Sequence, residues 1–351
     1  MSLPRQKNFW SYKRNIRLYC SLAIADIILK PLMNRTACLI FNPVAGQGDS
    51  EQDLATIKNL LQSEFELDVQ LTTKEVDGAE LAHRAIKNGV KTVVAAGGDG
   101  TVSAVAGALI GTDIVLGAIA LGTANAFVNA LNIPDTIEAA CQTILVGKTR
   151  KVDAATCNGQ PMILLAGVGF EAETVEDANR EAKDRLGILA YILSGWKQLN
   201  DFAKFTTKIE TEAKIITVEA SAVTIANAAP ATSVLAQGTA GILFDDGLLD
   251  ITILAPQTKT EAIVTSVQLL QSAVNDEALS REGVGYLRSS WVKLTTDPPQ
   301  KVVVDGEIIG KTPIEIKCVP QGLTVFTPLF EESNSNEQLN NLPGVNIELK
   351  H

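Results

Sequence analysis

From residue 37 onward, short apolar runs alternate with segments whose apolar residues recur at helical spacing. "ACLIFN" (37–42) is followed by the break "PVAGQGD" and then by "SEQDLATIKNLLQSEF" (50–65), where Leu54, Ile57, Leu60 and Leu61 share one helical face. Ser50 with Asp53 approximates a capping box at the start of that helix. "LDVQLTT" predicts a strand, and "GAELAHRAIKNG" a helix closing at Gly89. "KTVVAAGG" and "DIVLGAIAL" are apolar throughout, as strands covered on both faces are. Helices are predicted over 101–110, 124–131 and, behind Pro134, 135–147. Strand–helix alternation of this kind predicts a doubly wound parallel sheet.

Beyond residue 150 the pattern changes. "KVDAATCNGQPMILLAGVGF", "KIITVEASAVTIANA", "GLLDITILAP", "WVKLTT", "QKVVVDGEIIG" and "IEIKCV" are short, β-rich and separated by Gly, Pro, Asn and Asp. Antiparallel pairing follows, interrupted by helical segments at about 173–202 and 257–276. The fold class is therefore α/β plus β: a parallel-sheet N-terminal domain (37–150) and a mainly antiparallel β second domain (151–321). The strand-like "LTVFTPLF" (322–329) is a candidate to return to the first domain. Residues 330–351 are polar and predicted to be a mobile tail, and residues 1–36 form a separate arm.

Composition narrows the function classes. Of 351 residues, 46% are apolar and 20% charged, which excludes a disordered chain. The net charge of −10 excludes a general nucleic-acid binder. It conceals a basic arm: residues 1–36 hold Arg5, Lys7, Lys13, Arg14, Arg17, Lys30 and Arg35 against Asp26 alone. An anionic membrane surface is the partner such an arm suits. Its apolar part, Leu18 to Leu29, is too short for a span and lacks a cleavage site. Two readings stay open for it, a helix on the protein's own core or a basic-flanked helix lying on a membrane. The five cysteines show no CxxC spacing, so a reducing cytoplasm fits, with the chain cytoplasmic or peripheral at the membrane. Walker A, GxSxG and HExxH motifs are absent from the sequence, and its two histidines, His83 and His351, do not suggest a histidine mechanism.

Candidate chemistry lies where glycine meets Asn or Asp at strand ends: "FNPVAGQG" (41–48), "GGDGT" (97–101), "LGTANAF" (121–127), "FDDGLLD" (244–250) and "VDGE" (304–307). In an open parallel sheet, ligands bind beyond the carboxyl ends of the strands, where the first three converge. "NPVAGQG" alone reads as a flexible turn or as an anion site of backbone donors. In "GGDGT" three glycines permit close approach, Thr101 can cap the next helix, and Asp99 suits work on a metal ion or a hydroxyl. "DDGLLD" and "VDGE" are each compatible with ordinary turns.

Taken in order, "NPVAGQG", "GGDGT", "LGTANAF", "GVGFEAETV…GILAYIL", "IANAAP", "DDGLLDI" and "VDGE" with "GKTP" resemble the diacylglycerol kinase catalytic-domain family. That family includes bacterial soluble lipid kinases and sphingosine kinases, and the resemblance spans roughly residues 37–328. It implies an ATP- and Mg²⁺-dependent kinase acting on a lipid hydroxyl, diacylglycerol first among acceptors, and a homodimer. Asn42, Gly46, Gly97, Gly98, Gly100 and Thr101 would line the nucleotide cleft. Gly122, Thr123 and Asn125 would complete its floor, with Thr72 matching more loosely. Asp99 would be catalytic, Glu307 the general base and Asp305 the residue orienting its loop. Asp246, the Leu248 carbonyl and Asp245 would form a structural Mg²⁺ site. Two departures stand out: Ala126 replaces an acid after Asn125, and Gln47 sits in the phosphate turn without a neighbouring cation. Ala126 leaves sphingoid-base kinase and catalytically weak nucleotide- or lipid-binding regulator as alternatives, and because GGDG-type loops also occur in NAD kinases, an NAD-kinase-like small-molecule kinase is a further one.

Overall fold

Strands without polar interruption and helices with one apolar face build the first half. In the computed structural model these are β1 (Arg35–Phe41), α1 (Ser50–Leu61), β2 (Phe65–Leu71), α2 (Gly78–Lys87), β3 (Thr92–Gly97), α3 (Asp99–Leu109), β4 (Val115–Ala120), α4 (Ala126–Ala130) and α5 (Ile137–Val146). The structure describes residues 35–46, 48–169, 204–229, 243–256, 283–328 and 343–349. The arm up to residue 34, Gln47 and the predicted helices at about 173–202 and 257–276 lie outside the described residues, as do 329–342. No helix among the described residues is long and apolar enough to cross a membrane.

The strand order β2-β1-β3-β4, with β1 and β4 both parallel to β3, makes the sheet doubly wound. Right-handed crossovers send α1 to one face and α2 and α3 to the other. Accordingly α2 packs on α3, and α1 on α5. The direction of winding reverses between β1 and β3, opening a crevice at their carboxyl ends.

Two local expectations are corrected. The N-cap of α1 is Asp49 rather than Ser50, its carboxylate accepting from the N–H groups of Glu51 and Gln52 at 3.0 and 3.3 Å. A carboxylate one residue earlier reaches two orphan donors that a serine at the first helical position cannot. Phe65, the last residue of the segment read as helical, instead opens β2 and is 1% exposed; burial in the sheet core outweighs one more helical turn.

The second half comprises β5 (Thr149–Cys157), β6 (Gln160–Met162), β7 (Leu165–Gly169), β8 (Phe205–Glu210), β9 (Lys214–Ala220), β10 (Ala222–Ala226), β11 (Leu249–Leu254), β12 (Val284–Ser289), β13 (Trp291–Asp297), β14 (Lys301–Val304), β15 (Glu307–Lys311), β16 (Ile314–Phe326) and β17 (Asn346–Leu349). Six of them form one antiparallel sheet, β12-β11-β10-β7-β14-β15. The others extend the first sheet to eleven strands, β17-β9-β8-β13-β16-β4-β3-β1-β2, with β5 on β16 and β6 on β5. The two sheets enclose a second core that includes Ile209, Ile216, Leu294 and Ile316 together with Val168, Ile225, Ile251 and Val302.

β16 joins the halves. It pairs antiparallel with β13 and β5, bulges between Val319 and Leu323, and places Thr324 and Val325 parallel to Val115 and Leu116 of β4. The α/β and β halves therefore share one continuous sheet. Asn346–Leu349, inside the segment expected to be a mobile tail, instead form an edge strand on β9. β9 offers unpaired backbone groups there, and Val345 packs against the second core.

Candidate functional site

The crevice is assembled by three turns. β1 ends at Asn42, whose backbone N–H donates to Ala96 O of β3 at 2.9 Å. Its side-chain amide donates to Thr101 Oγ1 at 2.9 Å, while its Oδ1 accepts from Val44 N–H at 3.1 Å. One asparagine thus ties the "NPVAG" turn to the first turn of α3. Gly46 has φ +84°, and a Cβ there would stand 2.8 Å from Leu121 O, so only glycine lets this turn lie on the third loop. Gly122 and Gly98 touch backbone to backbone: a Cβ on Gly122 would lie 2.8 Å from Gly98 Cα. Thr72 lies at the same sheet end on the outer strand, its N–H donating to Phe41 O at 3.0 Å.

α3 starts at Gly98 with no side-chain cap. Its first-turn N–H groups and positive dipole end therefore lie at the crevice, with Gly97, Gly98 and Gly100 keeping the backbone bare. Asp99 does not cap its own helix. Its Oδ1 accepts from Ala126 N–H at 2.5 Å, and the N–H groups of Asn125 and Phe127 also donate to the carboxylate. Asp99 thus caps α4, where Asn125 adopts a left-handed conformation at φ 47°. Burial raises its pKa, and those donors oppose the rise. Asn125 Nδ2 bonds Gly122 O at 2.9 Å, closing the loop that carries Thr123. Ala126 is 4% exposed in the core of the first half, so an apolar side chain is packed where an acid was expected.

The second half contributes a two-residue hairpin turn between β14 and β15. Asp305 (φ 48°) and Gly306 (φ 89°) both have positive φ, as a type I′ turn requires. The Asp305 carboxylate accepts from the N–H groups of Ile163, Leu164 and Leu165 at 2.7, 2.8 and 3.0 Å. Burial raises its pKa, those donors lower it, and the charge of Asp99 raises it further. Glu307 follows on β15, exposed, with Ile308 and Ile309 exposed by 44% and 46%.

The residues implied for a structural Mg²⁺ do not fit a metal. Asp246 Oδ2 is ion-paired with Arg288, and its Oδ1 accepts from Leu248 N–H at 3.1 Å. Asp245 Oδ2 accepts from Arg150 Nε at 2.7 Å and from Arg150 Nη2. Among the described residues no group of three or more acidic, His or Cys side chains is arranged to hold a metal ion. Structural residues not singled out from the sequence organise this region. Asp153, 1% exposed, accepts from Gly247 and Gln321 N–H at 2.6 and 2.7 Å. Asn227 Nδ2 bridges Asp153 O and Ile163 O at 3.1 and 2.9 Å. The "IANAAP" motif was the visible signal for Asn227; Asp153, Arg150 and Arg288 lie outside any motif.

Comparison with known proteins agrees with this layout. Residues 36–157 match the diacylglycerol kinase catalytic domain, and residues 165–327 match the YegS C-terminal NAD kinase beta sandwich-like domain. A Synechocystis protein described as uncharacterized is 49% identical, over 90% of this chain and 76% of its own length. A Xanthomonas oryzae pv. oryzae protein named "Probable lipid kinase YegS-like" is 30% identical, over 81% of this chain and 94% of its own. The crystal structure of a diacylglycerol kinase from Bacillus anthracis superposes with a TM-score of 0.71 at 26% identity, covering 84% of this chain and 98% of that one.

Proposed function

Because the chain belongs to the diacylglycerol kinase catalytic-domain family of lipid kinases, which are alcohol phosphotransferases, we propose that it transfers the γ-phosphoryl group of ATP to a lipid hydroxyl, with diacylglycerol the acceptor. The observation that carries this reading is the pairing of two built loops. A glycine-lined crevice lies at the sheet's switch point, and the hairpin bearing Glu307 is anchored through Asp305 to Ile163 and Leu164, which pack in the core of the same half.

Phosphoryl transfer demands positioning and charge neutralisation more than covalent chemistry. The bare N-terminus of α3 and the glycines at 97, 98, 100 and 122 let backbone N–H groups approach phosphate oxygens. The nucleotide arrives as its Mg²⁺ complex, which supplies the positive charge that the turn's side chains lack. Asp99 holds the 122–127 loop against the phosphate turn through the donors at 125–127. Asp305 anchors the hairpin, and Glu307 takes the proton from the acceptor hydroxyl as oxygen attacks in line. Two exposed isoleucines beside that base suit acyl chains better than a sugar or a nucleotide, which supports a lipid acceptor.

The test is phosphoryl transfer from labelled ATP to diacylglycerol, a sphingoid base and NAD, with Glu307→Gln in parallel. We expect labelled phosphatidate, and a loss of about 100-fold or more in the variant at unchanged ATP binding. Undiminished transfer by Glu307→Gln would reject the base. ATP binding with no transfer to any acceptor would reject the kinase reading in favour of a regulator. The basic arm, residues 1–36, is proposed to dock the enzyme on anionic membrane. Its removal should weaken liposome binding at low salt more than turnover of detergent-dispersed lipid.

A further inference from the structure

The "DDGLLD" loop is where the family resemblance implies a resident cation, and we infer that in this chain Arg288, seconded by Arg150, supplies that positive charge, so that the loop is closed without a metal. This goes beyond the proposed reaction and does not depend on the acceptor.

Four carboxylates surround one turn: Asp153 below it, Asp245 and Asp246 in it, and Asp250 where β11 begins. Alone they would repel one another across a partly enclosed space. Each is engaged by N–H or O–H donors. Asp153 takes the backbone N–H groups of Gly247 and Gln321. Asp245 takes Arg150 through Nε and Nη2. Asp246 takes Leu248 N–H and Arg288 Nη2. Asp250 accepts from Tyr286 OH and pairs with Arg288 Nε at 3.3 Å. Arg288 therefore bridges Asp246 and Asp250, as one divalent ion between two carboxylates would.

The position of Arg288 is a consequence of register. On β12 it lies directly opposite Asp250 of β11. Its side chain is 14% exposed and that of Asp250 0%, so the pair is shielded from solvent screening. A planar guanidinium presents donors in two directions and can serve two carboxylates at once, which an ammonium does poorly. Arg150 is held similarly, its guanidinium lying 5.0 Å from the centre of the Phe244 ring while it binds Asp245. A Mg²⁺ ion requires near-octahedral oxygen ligation. Here both oxygens of Asp153 and Asp246 and Oδ2 of Asp245 face N–H donors, while Asp250 Oδ2 is buried without one, and the approaching ion would meet two guanidinium charges.

The test uses the full chain without nucleotide, by thermal unfolding in EDTA against excess Mg²⁺ and by Mn²⁺ binding followed by electron paramagnetic resonance. The wild type should melt at the same temperature in both buffers and bind no Mn²⁺ that Asp246→Asn removes. Arg288→Ala should melt several degrees lower in EDTA, recover with Mg²⁺, and acquire a Mn²⁺ site. Arg288→Lys, which keeps the charge but not the fork, should melt below the wild type and at the same temperature in both buffers. A wild-type melting temperature raised by Mg²⁺, or a Mn²⁺ site lost in Asp246→Asn, would overturn the inference. So would a folded Arg288→Ala that melts identically in both buffers. If Arg288→Ala folds in neither buffer, the wild-type Mn²⁺ measurement decides between the two outcomes.

Discussion

Two glycine–aspartate loops dominate this molecule, and they keep their carboxylates by opposite means. In "GGDG" the Asp99 carboxylate is held by backbone N–H groups at 125–127, and the turn carries no basic side chain. In "DDG" the carboxylates of Asp245 and Asp246 are held by Arg150 and Arg288. A backbone-built loop leaves its surroundings open to a ligand that brings its own charge, as a nucleotide with its metal does. A guanidinium-built loop is already neutralised and holds structure. The same residue types, Gly and Asp, thus make a bare-backbone crevice in one half and an arginine-bound loop in the other.

Removing the Asp305 anchor should separate these roles most sharply. Asp305→Ala leaves the N–H groups of Ile163, Leu164 and Leu165 without their acceptor, and should cost about 3 kcal/mol or more by denaturant unfolding. Phosphoryl transfer should fall further than this stability loss explains, since the hairpin bearing Glu307 loses its tether. A variant as stable as the wild type would show that the three bonds do not hold the turn.

Gly122→Ala comes next. Its Cβ would press on Gly98 Cα, backbone against backbone, for about 1–3 kcal/mol of overpacking. Equilibrium dialysis should show weakened ATP binding. Unchanged binding would mean the crevice does not depend on this approach.

Asp250 tests the charge-built side by pH. Burial pushes its pKa up to about 7, against the opposing bonds from Tyr286 and Arg288. A raised acid pKa means that the folded state holds the proton longer than the unfolded chain does. Stability from this group is therefore greatest below about pH 4 and declines as pH rises toward 7. Asp250→Asn keeps an acceptor for Tyr286 and should flatten the fall in melting temperature across that window. An unchanged slope would reassign the pH dependence to other buried carboxylates such as Asp153.

The smallest effect is expected at the exposed Glu80–Arg84 pair on α2, whose side chains are 51% and 55% exposed. Arg84→Ala should change stability by about 0.5 kcal/mol or less. A larger loss than from Arg150→Ala, whose partner Asp245 is half as exposed, would contradict the weight given to enclosure.

The crevice was legible because its determinants are local. Glycine clusters at the ends of apolar runs state where backbone must approach backbone, and the alternation of periods 2 and 3.6 states the order of strands and helices. The partners of the carboxylates were not legible. Arg150 lies 95 residues from Asp245, Asp153 94 from Gly247, and Arg288 42 from Asp246. Nothing in their immediate sequence distinguishes them from any charged residue on a strand. The continuity of β16 from one half into the other was hinted at by "LTVFTPLF", but its parallel register with β4 depends on contacts across the whole chain.

The sequence by itself determined that this chain alternates strand and helix up to about residue 150, turns β-rich afterward, and carries bare-backbone turns suited to phosphate. Those properties follow from hydrophobic period and from glycine, which act over a few residues. Only the tertiary structure decided that Asp99 caps a neighbouring helix and that both halves share one sheet. It alone decided, too, that arginines sit on the "DDG" carboxylates. Electrostatic and hydrogen-bond partners are chosen by proximity in space, and strand register is what brings them within reach.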